Sequence, residues 1–255
     1  MLSKSRSQFI RSLHQKKFRQ EHGQFLVEGA KSVQEVLASD FQVEQVLATE
    51  AFYKENALGA DLQPLTVEIV SADELTRVGT LESNNAAIAV VRTTENRPLL
   101  AESGEIVLVL DDIRDPGNLG TILRIADWYG IHKVICSQTT AEVYNPKVIS
   151  ASKGSFTRVC WYYTDLVAYL TDKADSIPIY GAFLGGENIH SLPFGQEGGY
   201  LVMGNEANGI HSELIPFLTQ KITIPGFGEA ESLNVGIATA VILDNWRRTN
   251  TQHFT

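Results

Sequence analysis

The stretch Asp111-Asp112-Ile113-Arg114-Asp115-Pro116-Gly117-Asn118-Leu119-Gly120-Thr121-Ile122-Leu123-Arg124 decides how this chain is read. It follows an apolar run at 106–110 and leads into a helical pattern over 118–129. A strand, a polar Pro/Gly loop and a helix opening on Asn place polar side chains at a strand's carboxyl end, where ligands bind in parallel α/β sheets. Capping the helix is one use for Asn118. Arg124 sits inside a helix otherwise built of Ile, Leu and Ala, so it needs a partner or a task.

Outward from this segment, short apolar strands alternate with helical patterns. The expected series is strand 106–110, helix 118–129, strand 133–137, helix 145–152, strand 157–162, helix 165–173 and strand 178–183. It continues with strand 200–203, helix 211–218, strand 221–224 and helix 233–248. That alternation predicts an α/β fold with a mostly parallel sheet covered on both faces. Upstream lies a smaller α/β unit: helix 7–20, strand 25–28, helix 30–38, strand 43–49, helix 51–58, strand 66–71, a short helix from Ala72 and strand 86–92. Thr93-Thr94-Glu95-Asn96-Arg97-Pro98 interrupts the pattern, because proline cannot continue a ladder, and the acidic stretch 101–105 reads as its flexible extension. The predicted division is therefore a domain at 1–97, a linker at 98–105 and a second domain at 106–255.

Composition bounds the rest. With 255 residues, 44% hydrophobic and 20% charged, the chain has ordinary globular usage and room for one large or two small cores. No apolar run approaches the roughly 18 residues needed to cross a bilayer. The N-terminus lacks the apolar segment of a secretory signal, so a cytoplasmic protein with no membrane partner is expected. Cys136 and Cys160 lie in strand-like runs and are expected as buried free thiols. The net charge of −9 argues against a generally basic nucleic-acid binder, yet its distribution is uneven. Residues 1–20 hold Lys4, Arg6, Arg11, Lys16, Lys17 and Arg19 with no acid, which leaves −15 on the remainder. Such an arm is either a local anchor for a polyanion or a solvated helix face, and charge alone leaves both open.

Two further loops follow strands in the second series. Gly204-Asn205-Glu206-Ala207-Asn208-Gly209-Ile210 has glycines that permit unusual backbone angles and close approach of a ligand. Pro225-Gly226-Phe227-Gly228-Glu229-Ala230-Glu231-Ser232-Leu233-Asn234 precedes the last helix. Three such loops, carrying Asn118, Glu206 and Asn234, point to one site. The dinucleotide G-x-G-x-x-G fingerprint, the P-loop, the G-x-S-x-G elbow and the H-E-x-x-H pair are missing. The six histidines (14, 22, 132, 190, 211 and 253) show no metal-ligand spacing, and no metal is expected.

These residues carry a resemblance. Asp115-Pro116-Gly117-Asn118-Leu119-Gly120 with Arg124 resembles the first signature of the SpoU (TrmH-like) RNA 2′-O-ribose methyltransferases of the SPOUT superfamily. The 204–210 loop resembles the second, and Ile224-Pro225 through Ser232-Leu233-Asn234-Val235 the third. Phe25-Leu26-Val27-Glu28-Gly29 resembles part of the substrate-binding domain that often precedes the catalytic one. The resemblance implies a C-terminal trefoil-knotted α/β methyltransferase domain acting as a homodimer, with S-adenosylmethionine as methyl donor. It also implies a ribosomal-protein-like N-terminal α/β domain that grips structured rRNA or tRNA.

By the same resemblance Asn118, Arg124, Glu206, Ser232 and Asn234 fall at catalytic or substrate-orienting positions. The donor would contact Leu184, Met203, Gly204, Asn205, Glu206, Ile222, Ile224, Leu233 and Asn234, with segment 182–185 closing over it. Gly236 stands where the family often has Ser. In a helix Gly costs about 1 kcal/mol against Ala, which suggests tight packing there. A guanidinium stays protonated, so Arg124 is read as clamping an RNA phosphate and stabilising a developing alkoxide rather than as a free-standing base. A structural ion pair is the bland alternative for it. The last helix places Leu233, Val235, Ile237, Ala238, Val241, Ile242 and Trp246 on more than one face, which suits burial on two sides and symmetric pairing. Rival readings are a non-catalytic RNA-binding or ribosome-assembly factor on the same scaffold, and a small-molecule enzyme using another nucleotide.

Overall fold

A computed structural model describes residues 2–58, 65–171, 173, 176–192 and 197–249; His253 lies outside them. The chain forms two compact units, one of Met1–Glu95 with Glu142–Thr157, the other of Asn96–Ala141 with Arg158–Thr255.

In the first unit, helices α1 (Lys4–Ser12) and α2 (Lys16–His22) lead into strand β1 (Gln24–Glu28), then α3 (Ala30–Leu37) and β2 (Val43–Ala48). Helix α4 (Glu50–Glu55), strand β3 (Thr66–Ile69), helix α5 (Ala72–Val78) and strand β4 (Ala87–Arg92) complete the series. The sheet order is β1-β4-β2-β3, with β4 antiparallel to both neighbours and β2 parallel to β3. Ile10 and Leu13 bury against Leu26, Leu47, Leu75 and Ile88, the core that fixes α1 on the sheet. The single helix expected over 7–20 is broken at Leu13–Gln15. The Arg19 guanidinium is the reason: it folds back to donate to Leu13 O at 3.0 Å and His14 O at 2.8 Å, taking the carbonyls that a continuous helix would use. Glu28, in the stretch resembling a substrate-binding domain, accepts from Thr80 N at 2.9 Å and Thr80 Oγ1 at 2.8 Å, pinning the turn after α5.

The second half of the chain runs β5 (Ile106–Leu110), α6 (Pro116–Trp128), β6 (Lys133–Ser137), α7 (Pro146–Ser152), β7 (Cys160–Thr164) and α8 (Leu166–Thr171). It ends with β8 (Ile179–Asn188), β9 (Gly199–Met203), β10 (Gln220–Thr223) and α9 (Val235–Thr249). The sheet order is β10-β8-β9-β5-β6-β7, and every adjacent pair is parallel. Strands β5 and β9 are buried along their whole length, the continuous apolar pattern of a two-sided sheet. Leu110 is registered against Met203, so the loops that leave β5 and β9 emerge side by side. From β5 the chain builds towards β6 and β7, while β9 and β8 lie on its other side. That is a topological switch point, the place such sheets use for ligands.

Four further expectations need correction. Segment 142–157, including α7, packs with the first unit rather than within the second series, because Phe25 lies 4.6 Å from the Tyr144 ring and 6.1 Å from Phe156 while buried Arg19 pairs with Glu142. The stretch 98–105 is held on the second unit: Tyr169 Oη donates to Leu99 O at 2.6 Å, and Lys133 Nζ binds Leu100 O, Glu102 and Glu105 at 2.8–3.0 Å. The helix expected at 211–218 is a turn followed by a 3-10 segment, Ile215–Phe217, since Pro216 lacks the amide that an α-helix would need at that position. Cys136 is buried, and burial pushes its thiol up well above the usual range, but Cys160 is exposed because β7 is an edge strand.

Candidate functional site

The first loop is built on two buried carboxylates. Asp112 turns the chain in a left-handed conformation, φ 59°, while its N–H donates to Ser137 Oγ at 2.9 Å. Burial works against its charge, but hydrogen bonds from Arg114 and Thr139 hold the carboxyl below its ordinary range. Asp115 then caps α6, accepting from Asn118 N at 2.8 Å, with Pro116 in the first turn. Asn118 is therefore not the cap, and its amide is free for other work. Its Nδ2 donates to Glu206 Oε1 at 2.5 Å, and its Oδ1 accepts from Asn234 Nδ2 at 2.9 Å.

The second loop is latched at both ends to the first. Asn205 Nδ2 donates to Asp112 O at 2.8 Å, its Oδ1 accepts from Ala207 N at 2.9 Å, and its backbone pairs with Gly209. Asp111 accepts from His211 N at 2.7 Å and lies 2.8 Å from His211 Nδ1. A Cβ on Gly204 would stand 2.3 Å from the Gly209 carbonyl carbon, so only glycine lets the two arms of the loop approach this closely. Glu206 is carried between those arms. Asp111, Asp112 and His211 were not singled out as functional from the sequence; two adjacent acids directly after a fully apolar strand were the available signal.

The third loop ends on Asn234, whose Oδ1 accepts from Gly236 N at 2.9 Å and Ile237 N at 3.3 Å and so caps α9. A Cβ on Gly236 would lie 3.2 Å from Thr121 Cγ2, so α6 and α9 touch closely there. Arg247 Nε donates to Tyr129 O at 2.6 Å, tying the other ends of the same two helices.

Beside this hydrogen-bonded chain opens a cavity of about 700 Å³, within the range of sites that take drug-sized ligands. Its walls come from β8 at residues 182–185, the loop after β9 at 203–210, β10 at 221–224 and the approach to α9 at 231–233. Leu184, Met203, Gly204, Asn205, Glu206, Ile222, Ile224, Ser232 and Leu233 all line it, whereas Asn118, Arg124 and Asn234 do not. The lining suits an aromatic, hydrophobic body with a few polar edges, since aliphatic side chains and backbone groups alternate around it. Lys221, also in the wall, stands 4.9 Å from the Phe183 ring; it too escaped the sequence reading, because one lysine on a short strand carries no pattern. Arg124 is exposed and forms no ion pair or hydrogen bond with any described residue. Among the described residues no group of three His, Cys, Asp or Glu is placed to hold a metal ion, and no helix is long and apolar enough to cross a membrane.

A parallel α/β sheet with a ligand cavity walled by β8, β10 and the loop that leaves β9 defines the class. Comparison gives the family. The SpoU rRNA Methylase family profile matches residues 105–244, and the MRM3-like substrate binding domain profile matches 4–89. The chain is 31% identical over 240 residues to the 23S rRNA (guanosine(2553)-2′-O)-methyltransferase RlmP of Bacillus subtilis, covering 93% of this chain and 94% of that one. A solved putative RNA methyltransferase of the TrmH family from Porphyromonas gingivalis is 36% identical, with a TM-score of 0.87 over 97% of this chain and 99% of that one. An AdoMet-bound rRNA methyltransferase from Sinorhizobium meliloti is 25% identical, again with a TM-score of 0.87 and 97% of each chain covered. The chain belongs to the SpoU rRNA methylase family, within the SPOUT superfamily.

Proposed function

We propose that this chain transfers a methyl group from S-adenosylmethionine to a ribose 2′-hydroxyl of ribosomal or transfer RNA. It is an enzyme, and S-adenosylmethionine is its donor. The observation that carries the assignment of the site is the Glu206–Asn118–Asn234 chain, which joins three separate loops at the edge of the cavity. The relatives support the reaction: RlmP is named for 2′-O-methylation, and the Sinorhizobium meliloti structure holds AdoMet.

The bound donor supplies an electrophilic sulfonium methyl and therefore requires no metal. Leu184, Met203, Ile222, Ile224 and Leu233 would enclose the adenosine in their apolar wall, with the backbone of Gly204 and Asn205 meeting its polar edges. Asn118, fixed from both sides, orients Glu206 and Asn234, and Ser232 lies where an incoming ribose could be held. Positioning of this kind removes much of the barrier for an in-line transfer. Arg124 has no partner to release, so it can clamp an RNA phosphate and stabilise charge developing on the 2′-oxygen. It lies six residues beyond Asn118, about 9 Å along the helix axis, and side chains of a helix tilt towards its N-terminus.

Residues 1–97 form the RNA-binding domain in this reading, with segment 142–157 packed into the same unit, and the rest of 106–255 forms the catalytic domain with the trefoil knot, onto which 98–105 is held. Both family profiles support that division. Two copies pair through the C-terminal domain: Trp128 on α6 is 83% exposed and Ile237 on α9 is 52% exposed, although these helices pack on one another. The enzyme works in the cytoplasm, where ribosomes and their precursors are found. Mapping 2′-O-methyl sites in total RNA with and without this protein tests the function. Loss of one site on its removal supports it. An unchanged methylation map, together with no donor binding by calorimetry, contradicts it.

A further inference from the structure

The first two helices carry an arrangement that the methyl-transfer chemistry does not use. Phe9 on α1 meets His22 on α2 edge to face at 5.3 Å, and His22 lies nearly parallel to Phe18, at 15° and 6.5 Å between centroids. Arg6 stands over Phe9 at 5.5 Å and Lys17 over Phe18 at 5.7 Å. Phe9 and Phe18 are half-buried and so anchored, whereas His22 is exposed. Neither Arg6 nor Lys17 pairs with an acid among the described residues, and the same is true of Lys4, Arg11 and Lys16. Arg19 alone leaves the basic set, buried at 2% exposure and paired with Glu142.

A solvated helix face accounts for the charges and the core beneath accounts for Phe9, but neither accounts for an exposed imidazole set against two phenyl rings among the cations. One exposed ring, His22, backed by two half-buried rings and flanked by free cations, matches the chemistry of unpaired RNA: bases stack on aromatic faces while the cations follow the phosphates. Duplex RNA offers no free base to such a surface. The acidic remainder of the chain would repel a polyanion, which confines the attraction to this patch.

We propose that the Phe9–His22–Phe18 cluster is a stacking platform for an unpaired base of the RNA substrate, with Arg6 and Lys17 holding the adjoining phosphates. The proposal rests on the RNA-methylating function above. It adds that the N-terminal domain recognises a single-stranded or looped-out nucleotide and not only the shape of a helix.

The test uses the full-length protein and short RNA oligonucleotides carrying 2-aminopurine, whose fluorescence falls on stacking. Wild-type protein should quench a single-stranded probe but not the same sequence in a duplex. His22→Ala should remove the quench and weaken binding about tenfold, the worth of one stacked base, with the salt dependence unchanged. His22→Phe should restore both quench and affinity. Lys17→Ala should instead lower the salt slope by about one. Full quenching by His22→Ala overturns the platform, as does wild-type binding of the probe with no quench. Failure of the wild-type protein to bind any RNA overturns the methyltransferase reading as well, so the two failures are told apart.

Discussion

The side-chain amides of Asn118 and Asn234, 116 residues apart in the chain, are joined by a 2.9 Å hydrogen bond. Asn234 simultaneously caps α9, and Asn118 passes the connection on to Glu206. Three loops are thus locked together through Asn118, Glu206 and Asn234, none of which is itself deeply buried. Such an arrangement sets orientation, and its loss should show in turnover before it shows in folding.

Asn118→Ala should therefore lower single-turnover methyl transfer by two orders of magnitude or so, about 2.7 kcal/mol in the barrier. Donor affinity measured by calorimetry should change little, because Asn118 is not in the cavity wall. An equal loss in both would mean that Asn118 shapes the cavity and not the reacting groups.

Arg124→Ala should abolish methyl transfer while leaving both donor binding and the melting temperature near those of the wild type, since Arg124 forms no bond within the described chain. Arg124→Lys keeps the charge but loses the planar fork and should recover only part of the activity. Full turnover by Arg124→Ala would assign the oxyanion role elsewhere.

Gly204→Ala forces a Cβ to within 2.3 Å of a backbone carbon, and the loop bearing Glu206 must shift. Overpacking against backbone costs about 1–3 kcal/mol. Donor affinity should fall at least about tenfold, with a melting temperature several degrees lower. The measurement is calorimetric titration with S-adenosylmethionine, paired with thermal unfolding.

His14 supplies a pH dependence of known sign. Burial is the main cause of its lowered pKa, opposed by Glu28 and by a hydrogen bond to the Val78 backbone, and its Nε2 has no partner. The native state therefore favours the neutral ring. Its contribution to stability is present above the ordinary histidine value of about 6.5 and is lost as pH falls through the lowered folded value. His14→Phe should flatten the decline in melting temperature between about pH 7 and pH 5; an unchanged decline would place the titration at another group.

The dimer surface can be probed at Trp128, 83% exposed on α6. Wild-type protein should scatter light as a dimer at micromolar concentration, and Trp128→Glu should shift it to monomer with its secondary structure intact. A wild-type monomer would remove the basis for pairing.

Much of this site was legible in the sequence because its determinants are local. The strand–loop–helix at 106–129 declares itself through an apolar run, Pro/Gly punctuation and helical periodicity, and the other two loops are marked by their glycines. Partnerships formed across long separations were not legible. Nothing near Asn118 in sequence says that Asp115 takes the capping role and releases its amide to Glu206 and Asn234. Arg19 looks like one more cation of a basic arm, yet it is the strut that ends α1 and pairs with Glu142. The helix at 146–152 fits the second series by alternation, and the contacts of Phe25 with Tyr144 and Phe156 and of Arg19 with Glu142 draw its segment to the first unit. Periodicity reports which face is apolar; it does not report what covers that face.

The central claim is tested most directly by incubating the purified protein with S-adenosylmethionine labelled in its methyl group and with rRNA from cells lacking the protein, then digesting the RNA to nucleosides. The account predicts label in a single 2′-O-methylnucleoside, incorporated about a hundredfold more slowly by Asn118→Ala and not at all by Arg124→Ala. Label recovered on a base, or transfer unaffected by either substitution, would contradict it.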